Sequence, residues 1–209
     1  MTDSSKSNLR EAYDKRASER DSASMQDWKI EERSRFLSLL KQEEKESLLE
    51  IGAGPGRDSL FFQKNGLKVL CTDLSPEMVK LCRQKGLDSK VMDFNDLQFP
   101  ENFFDAVYAM NSLLHLPKKE LPAVLRAINV ILKNNGLFFM GVYGGVDHQG
   151  IWEEDAYEPK RFFSFYEDEH LKKILGKRFG LISFRKIDTA ESDRHLHFQS
   201  ITMRKQRNS

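Results

Sequence analysis

Leu48-Leu-Glu-Ile-Gly-Ala-Gly-Pro-Gly-Arg-Asp58 is an apolar run that breaks into glycines at alternate positions, Gly52, Gly54 and Gly56, and then into a helix-forming stretch. A strand, a tight turn and a helix in that order open a βαβ unit. The glycines let the backbone turn sharply, approach a ligand closely and present N–H groups at a helix N-terminus. Asp73 ends the next apolar run, 21 positions after Gly52. A carboxylate there is placed to accept from both ribose hydroxyls of a nucleotide held by the turn. A glycine cluster alone reads equally well as a plain turn, so the spacing to Asp73 is what makes it a nucleotide site.

Outward from this stretch, short apolar runs alternate with helical ones. Strands are expected at 47–51, 67–72, 89–92, 104–109 and 137–143, and helices at 57–65, 76–85 and 117–132. Ser75 and Pro76 suit a helix start and Gly86 its C-terminal turn. Asn134-Asn-Gly136 reads as the stop of the third helix. Such alternation implies right-handed crossovers, hence a doubly wound α/β fold with a mainly parallel sheet and helices on both faces. The stretch 144–160 breaks the pattern and reads as a long functional loop. Ser164-Phe-Tyr-Glu167 reads as a capping box opening a short helix. Runs at 178–187 and 196–203, with a turn at 188–193 between them, read as an antiparallel hairpin at a sheet edge.

The chain has 209 residues, with 33 Lys+Arg against 32 Asp+Glu and a formal charge of +1. That length suits one domain, 1–209. Within it the reading gives an N-terminal helical cap over 1–45, a cofactor-binding core over 46–143, a substrate-side loop over 144–165, and a C-terminal helix and hairpin over 166–209. The charge balance disfavours a protein built to grip nucleic acid, and Arg204, Lys205 and Arg207 read as a solvated tail. No apolar stretch is long enough to span a membrane and none follows the N-terminus as a leader would, so a cytoplasmic location is expected. Cys71 and Cys82 read as small buried hydrophobes.

Four segments taken together resemble class I S-adenosylmethionine-dependent methyltransferases. They are the glycine turn preceded by Glu50, Cys71-Thr-Asp-Leu-Ser-Pro-Glu-Met78, Val91-Met-Asp-Phe94, and 104–117 with Met110, Asn111 and Ser112. Arg57 stands where a dehydrogenase fingerprint places its third glycine. The resemblance covers about 48–143 and implies a Rossmann-like methyltransferase fold whose last strand is reversed. It implies S-adenosyl-L-methionine as cofactor. Glu50 and the Gly52, Ala53, Gly54 and Gly56 backbone would hold the methionine end and Asp73 the ribose, while Leu74, Met78, Asp93 and Phe94 would surround the adenine. Tyr13, in the N-terminal helix, would cover the methionine carboxylate, and Asn111 and Ser112 would close the site from below.

The reaction implied is methyl transfer to an O, N, S or C nucleophile, with much of the rate from positioning, so no catalytic residue is assigned. His115 reads more readily as packing than as a base. His195 and His197 alternate on one strand face and read as exposed rather than as metal ligands. Trp28, Tyr143, His148, Trp152 and Tyr157 are candidates for the acceptor pocket, where aromatics suit a planar or apolar small molecule. Asn111 is followed by Ser-Leu-Leu, not by the Pro-Pro-Tyr of amino-methylating enzymes, and no Pro-Cys nucleophile occurs. A small-molecule acceptor is therefore favoured over a macromolecule. Two other readings stand beside this one: a nicotinamide-dependent oxidoreductase, and a non-catalytic regulatory domain that binds S-adenosylmethionine.

Overall fold

In the computed structural model, residues 3–189 and 195–206 are described. Three helices, α1 (Asp3–Lys15), α2 (Ala17–Ser22) and α3 (Asp27–Gln42), precede β1 (Ser47–Ile51). Then follow α4 (Arg57–Lys64), β2 (Lys68–Asp73), α5 (Pro76–Gln84), β3 (Asp88–Val91), β4 (Phe104–Met110), α6 (Leu121–Ile131) and β5 (Leu132–Gly144). The chain continues through β6 (His148–Ile151), β7 (Phe162–Phe165), α7 (Asp168–Leu175), β8 (Phe179–Ile187) and β9 (His197–Lys205). Seven strands form one sheet in the order β3-β2-β1-β4-β5-β9-β8. The first five are mutually parallel, and β9 runs antiparallel to both β5 and β8. This is the expected doubly wound sheet with its C-terminal hairpin at one edge.

Strand periodicity divides the core. Leu48, Ala106, Tyr108, Leu137 and Phe139 pack with Phe36, Leu40 and Phe62 of α3 and α4 on one face. Their neighbours Leu49, Val107, Phe138 and Met140 pack with α6 and α7 on the other. In α6, Leu121, Val124, Leu125 and Ile128 recur at three- and four-residue spacing and all are buried. The strand order reverses between β1 and β4, whose C-terminal ends diverge there, the usual ligand crevice of such sheets.

Several local expectations are corrected. The helix expected over 117–132 starts only at Leu121, because 117–120 is a separate turn closed by Glu120 N–H to the Pro117 carbonyl at 2.8 Å. Asn134-Asn-Gly136 does not stop it. Leu132 is already extended, and the pairing jumps from Phe104↔Leu132 to Ala106↔Leu137, so the three residues form a bulge within β5. Asn135 there takes φ 60°, a conformation asparagine tolerates. The segment 144–165 is not all loop, since β6 and β7 pair as an antiparallel ribbon. Ser164 lies in β7 and is buried, whereas α7 opens behind Glu167 without a side-chain cap, so the capping box is not formed.

The C-terminal cations are not a solvated tail. Arg204 makes a two-pronged pair with Glu43 at 2.6 and 2.7 Å, and buried Lys205 meets the Leu132 carbonyl at 2.6 Å. Arg207 and most of the turn at 188–193 lie outside the described residues. His197 is half-buried and sits 2.7 Å from Asp168, which also accepts from Gln199, so it is not an exposed strand histidine. Among the described residues no three His, Cys, Asp or Glu side chains are grouped to hold a metal, and no helix is long and apolar enough to cross a membrane.

Candidate active site

At the C-terminal ends of β1, β2 and β4, and beneath α1 and α2, lies a cleft of about 1040 Å³ with the open space at its mouth included. Its floor is the glycine turn. Gly52, Gly54 and Gly56 all take positive φ, at 70°, 55° and 78°. At Gly52 a Cβ would sit 2.3 Å from the Ser112 Cβ, so the β1 turn can approach the end of β4 only without a side chain.

Asp73 leaves the end of β2 and holds this floor together. One carboxylate oxygen accepts from Gly54 N–H at 2.8 Å and the other from Ser75 N–H at 2.9 Å. Burial raises its pKa, and these two bonds oppose the rise. An ionised carboxylate has about four lone-pair sites, so two stay open toward the cavity after the backbone is served. Ser75 in turn caps α5, accepting from Met78 N–H at 3.1 Å. Glu50, at 3 % exposure, accepts from the Ser59 hydroxyl. Burial and the Asp58 carboxylate hold its pKa well above the ordinary carboxylate range.

Of the residues singled out in sequence, Tyr13, Glu50, Gly52, Ala53, Gly54, Asp73, Leu74, Phe94, Met110, Asn111 and Ser112 line this cavity. Met78 does not reach it, being fully buried in α5 beneath the turn. Gly56 lies behind the lining, where it starts α4. Asp93 faces away, bonding Asn95 and pairing with Lys6 at 2.6 Å, and its neighbour Met92 lines the cavity instead. Two polar atoms at the β4 end, Asn111 Oδ1 and Ser112 Oγ, are buried with no protein partner. Buried polar atoms are normally paired, so both point to a ligand or ordered water.

Tyr13 and His115 meet over the cavity. The His115 Nδ1 lies 2.8 Å from the Phe162 carbonyl, which can only accept, so Nδ1 carries the proton and Nε2 accepts from the Tyr13 hydroxyl at 2.7 Å. Burial lowers the His115 pKa to about 3, with the Arg161 charge adding to the effect. Arg161 donates to the same Tyr13 oxygen at 3.0 Å and grips Asp155 at 2.7 and 2.8 Å. Its guanidinium lies 3.5 Å from the centre of the Tyr157 ring. The segment 152–161 is thereby tied to α1 and α2 above the ligand crevice.

A second cleft, about 800 Å³ with its open mouth included, is lined by Arg161 and walled by Tyr143, Trp152, Tyr157, Phe163 and Phe165. Three of the five aromatic candidates are thus together there. Trp28 is spent in the core, with its ring 4.4 Å from that of Phe198, and His148 is exposed on β6. Sequence reading passed over Arg20, Lys29 and Met25, which line the main cavity from the helical cap. Arg57, noted only as a missing glycine, donates to the Arg20 and Asp21 carbonyls and moors the cap to the glycine turn.

The segment from the glycine turn through most of β5 matches a known family over residues 49–140. That family is the methyltransferase domain. The parallel core with its reversed β9 has the Rossmann-like fold that the resemblance to class I methyltransferases implies. The chain is 26% identical over 153 residues to phosphoethanolamine N-methyltransferase of Triticum aestivum, covering 70% of this chain and 30% of that protein. It is 35% identical over 100 residues to the ubiquinone biosynthesis O-methyltransferase of Xanthomonas oryzae pv. oryzae, covering 44% of this chain and 41% of that one. The matches therefore span well under half the length of these relatives. In fold, the chain resembles the 1,6-didemethyltoxoflavin-N1-methyltransferase of Burkholderia thailandensis, solved with its substrate and S-adenosylhomocysteine bound. The TM-score is 0.71 at 22% identity, covering 94% of this chain and 87% of that chain.

Proposed function

We propose that this protein transfers a methyl group from S-adenosylmethionine to an O, N or S nucleophile of a small molecule. The observation that carries the reading is the set of open polar positions around one cavity: the free acceptor sites of Asp73 and the unpartnered Asn111 Oδ1 and Ser112 Oγ. Asp73 would take the ribose hydroxyls, Leu74, Met92 and Phe94 the adenine, and Asn111 with the Gly52–Gly54 backbone the amino-acid end. When bound, S-adenosylmethionine supplies an activated methyl on a positively charged sulfur. The protein's part is then to orient the acceptor and exclude water. Tyr13 and Arg161 close the cavity toward solvent, and neutral His115 fixes the Tyr13 hydroxyl.

The acceptor would enter from the aromatic cavity, with Tyr143, Trp152 and Tyr157 as its wall. A nicotinamide reading is weakened by Arg57, which replaces the third fingerprint glycine and is committed to the cap. Calorimetric titration with S-adenosylhomocysteine, beside NADH and NADPH, tests the assignment. Micromolar binding of S-adenosylhomocysteine alone is expected. Preference for a nicotinamide cofactor overturns it, and S-adenosylhomocysteine binding without turnover across acceptor screens favours a non-catalytic domain.

A further inference from the structure

Two cations line the main cavity with no carboxylate in ion-pair contact among the described residues, although Asp73 and Glu19 feel the Arg20 charge from a distance. Arg20 makes no ion pair among the described residues. One of its terminal nitrogens donates to the Tyr157 hydroxyl at 3.0 Å, and its Nε is buried with no partner at all. Lys29 likewise makes no ion pair among the described residues and lies 5.1 Å from the centre of the Trp28 ring. Asp58 acts on Lys29 from a distance, but that carboxylate is held by Arg33 at 3.0 Å. The other cavity cations are spent: Arg57 on backbone carbonyls, and Arg10 beside Asp14 at 3.6 Å. Half-buried charges left unpaired are costly, so a ligand that neutralises them is favoured.

S-adenosylmethionine brings one carboxylate and two positive groups. One carboxylate answers one of the two cations. The two are neighbours, close enough for the Arg20 charge to help lower the Lys29 pKa, but their other contacts differ: Lys29 also feels Asp58 and Arg57 near the glycine turn, whereas Arg20 lies against the Tyr13 ring and donates to Tyr157, which also walls the second cavity. Resting on the methyltransferase reading above, we infer that the methyl acceptor carries an oxyanion, a carboxylate or a phosphate, and that Arg20 binds it. Lys29 is left for the methionine carboxylate. The neighbouring Tyr157 hydroxyl gives the oxyanion a second donor, and the aromatic walls of the second cavity take the acceptor's body.

The test uses the full chain saturated with S-adenosylhomocysteine and three probes at constant ionic strength: benzoate, inorganic phosphate and, as the neutral match to benzoate, benzamide. Ligand-observed NMR reads their affinities. At least one anion is expected to bind about tenfold more tightly than benzamide, and which one does so separates a carboxylate acceptor from a phosphate one. Arg20→Met should abolish the preference while S-adenosylhomocysteine affinity stays within about threefold, and Arg20→Lys should keep part of it, which guards against a merely misfolded variant. Equal binding of benzamide, no saturable anion binding, or anion preference surviving in Arg20→Met overturns the inference with the cofactor reading intact. Loss of S-adenosylhomocysteine affinity in Arg20→Met with anion binding kept reverses the two roles and also overturns it. Failure of the unaltered protein to bind S-adenosylhomocysteine at all sinks the cofactor reading, and this inference with it.

Discussion

Asp73→Ala separates the two duties of one carboxylate. In the folded chain its oxygens hold Gly54 N–H at 2.8 Å and Ser75 N–H at 2.9 Å. Hydrogen bonds to a charged group contribute about 1.5–3 kcal/mol each, and relaxation with water entry recovers part of that. A net stability loss of about 2–4 kcal/mol is expected. For a domain of this size, that is a fall of roughly 5–15 °C in thermal midpoint. The open acceptor sites serve the ligand, and losing them should weaken S-adenosylhomocysteine by about 1–3 kcal/mol, or about 5- to 150-fold. Asp73→Asn retains one acceptor oxygen and cannot serve both backbone donors and both ribose hydroxyls, so it should fall between. Calorimetry at a temperature where all three proteins are folded reads the affinity, and a thermal scan reads the stability. A folded Asp73→Ala protein that binds S-adenosylhomocysteine within twofold of the unaltered one would refute the ribose assignment, whatever its midpoint.

Gly52→Ala should lose cofactor binding and about 2 kcal/mol or more of stability, since its Cβ meets the Ser112 Cβ at 2.3 Å with φ at 70°. Adding Ser112→Gly should recover only the steric part, as seen in denaturant midpoints. Tyr13→Phe removes the hydroxyl shared by His115 and Arg161 and leaves buried His115 and half-buried Arg161 each a partner short. Methyl-transfer rates should drop at least tenfold, while ribose-side affinity holds within a few-fold by calorimetry. Because the His115 pKa is depressed to about 3 from 6.5, the unfolded chain binds the extra proton first. Stability should therefore fall as pH drops from about 6.5 toward about 3. His115→Gln should flatten that slope between pH 6.5 and about 4, the contributions of carboxylates such as Glu50 and Asp168 being common to both proteins. Parallel slopes for the two proteins in urea titrations would contradict the buried neutral imidazole.

The sheet was legible because its signals are local. Short apolar runs in β1, β4 and β5, the Ser75–Pro76 start and the glycine turn each state their structure within a few residues. The misread places depend on distant partners. Asn134-Asn-Gly136 carries the composition of a helix stop, yet its neighbour Leu132 is claimed by Phe104 across the sheet. The pattern of Ser164 and Glu167 fits a cap, but pairing of Ser164 with Gln149 outweighs it. At the site, backbone-determined positions such as Gly52 and Asp73 were readable from spacing. Arg20, Lys29 and Arg161 were not, because a cation in a polar helix or loop looks the same in sequence whether it faces solvent or a cavity. Trp28 shows the converse, since an aromatic residue carries no mark that separates a pocket wall from a core filling.

The tie between Tyr13, Arg161 and Tyr157 has a kinetic consequence. A ligand passing between the main cavity and the aromatic one would require the cap and the segment 152–161 to part. Association should then run well below the diffusion limit. The acceptor, approaching through the aromatic cavity, would find the donor already seated beneath it. Turnover of this kind would be ordered, with the donor first to arrive and its demethylated product last to leave.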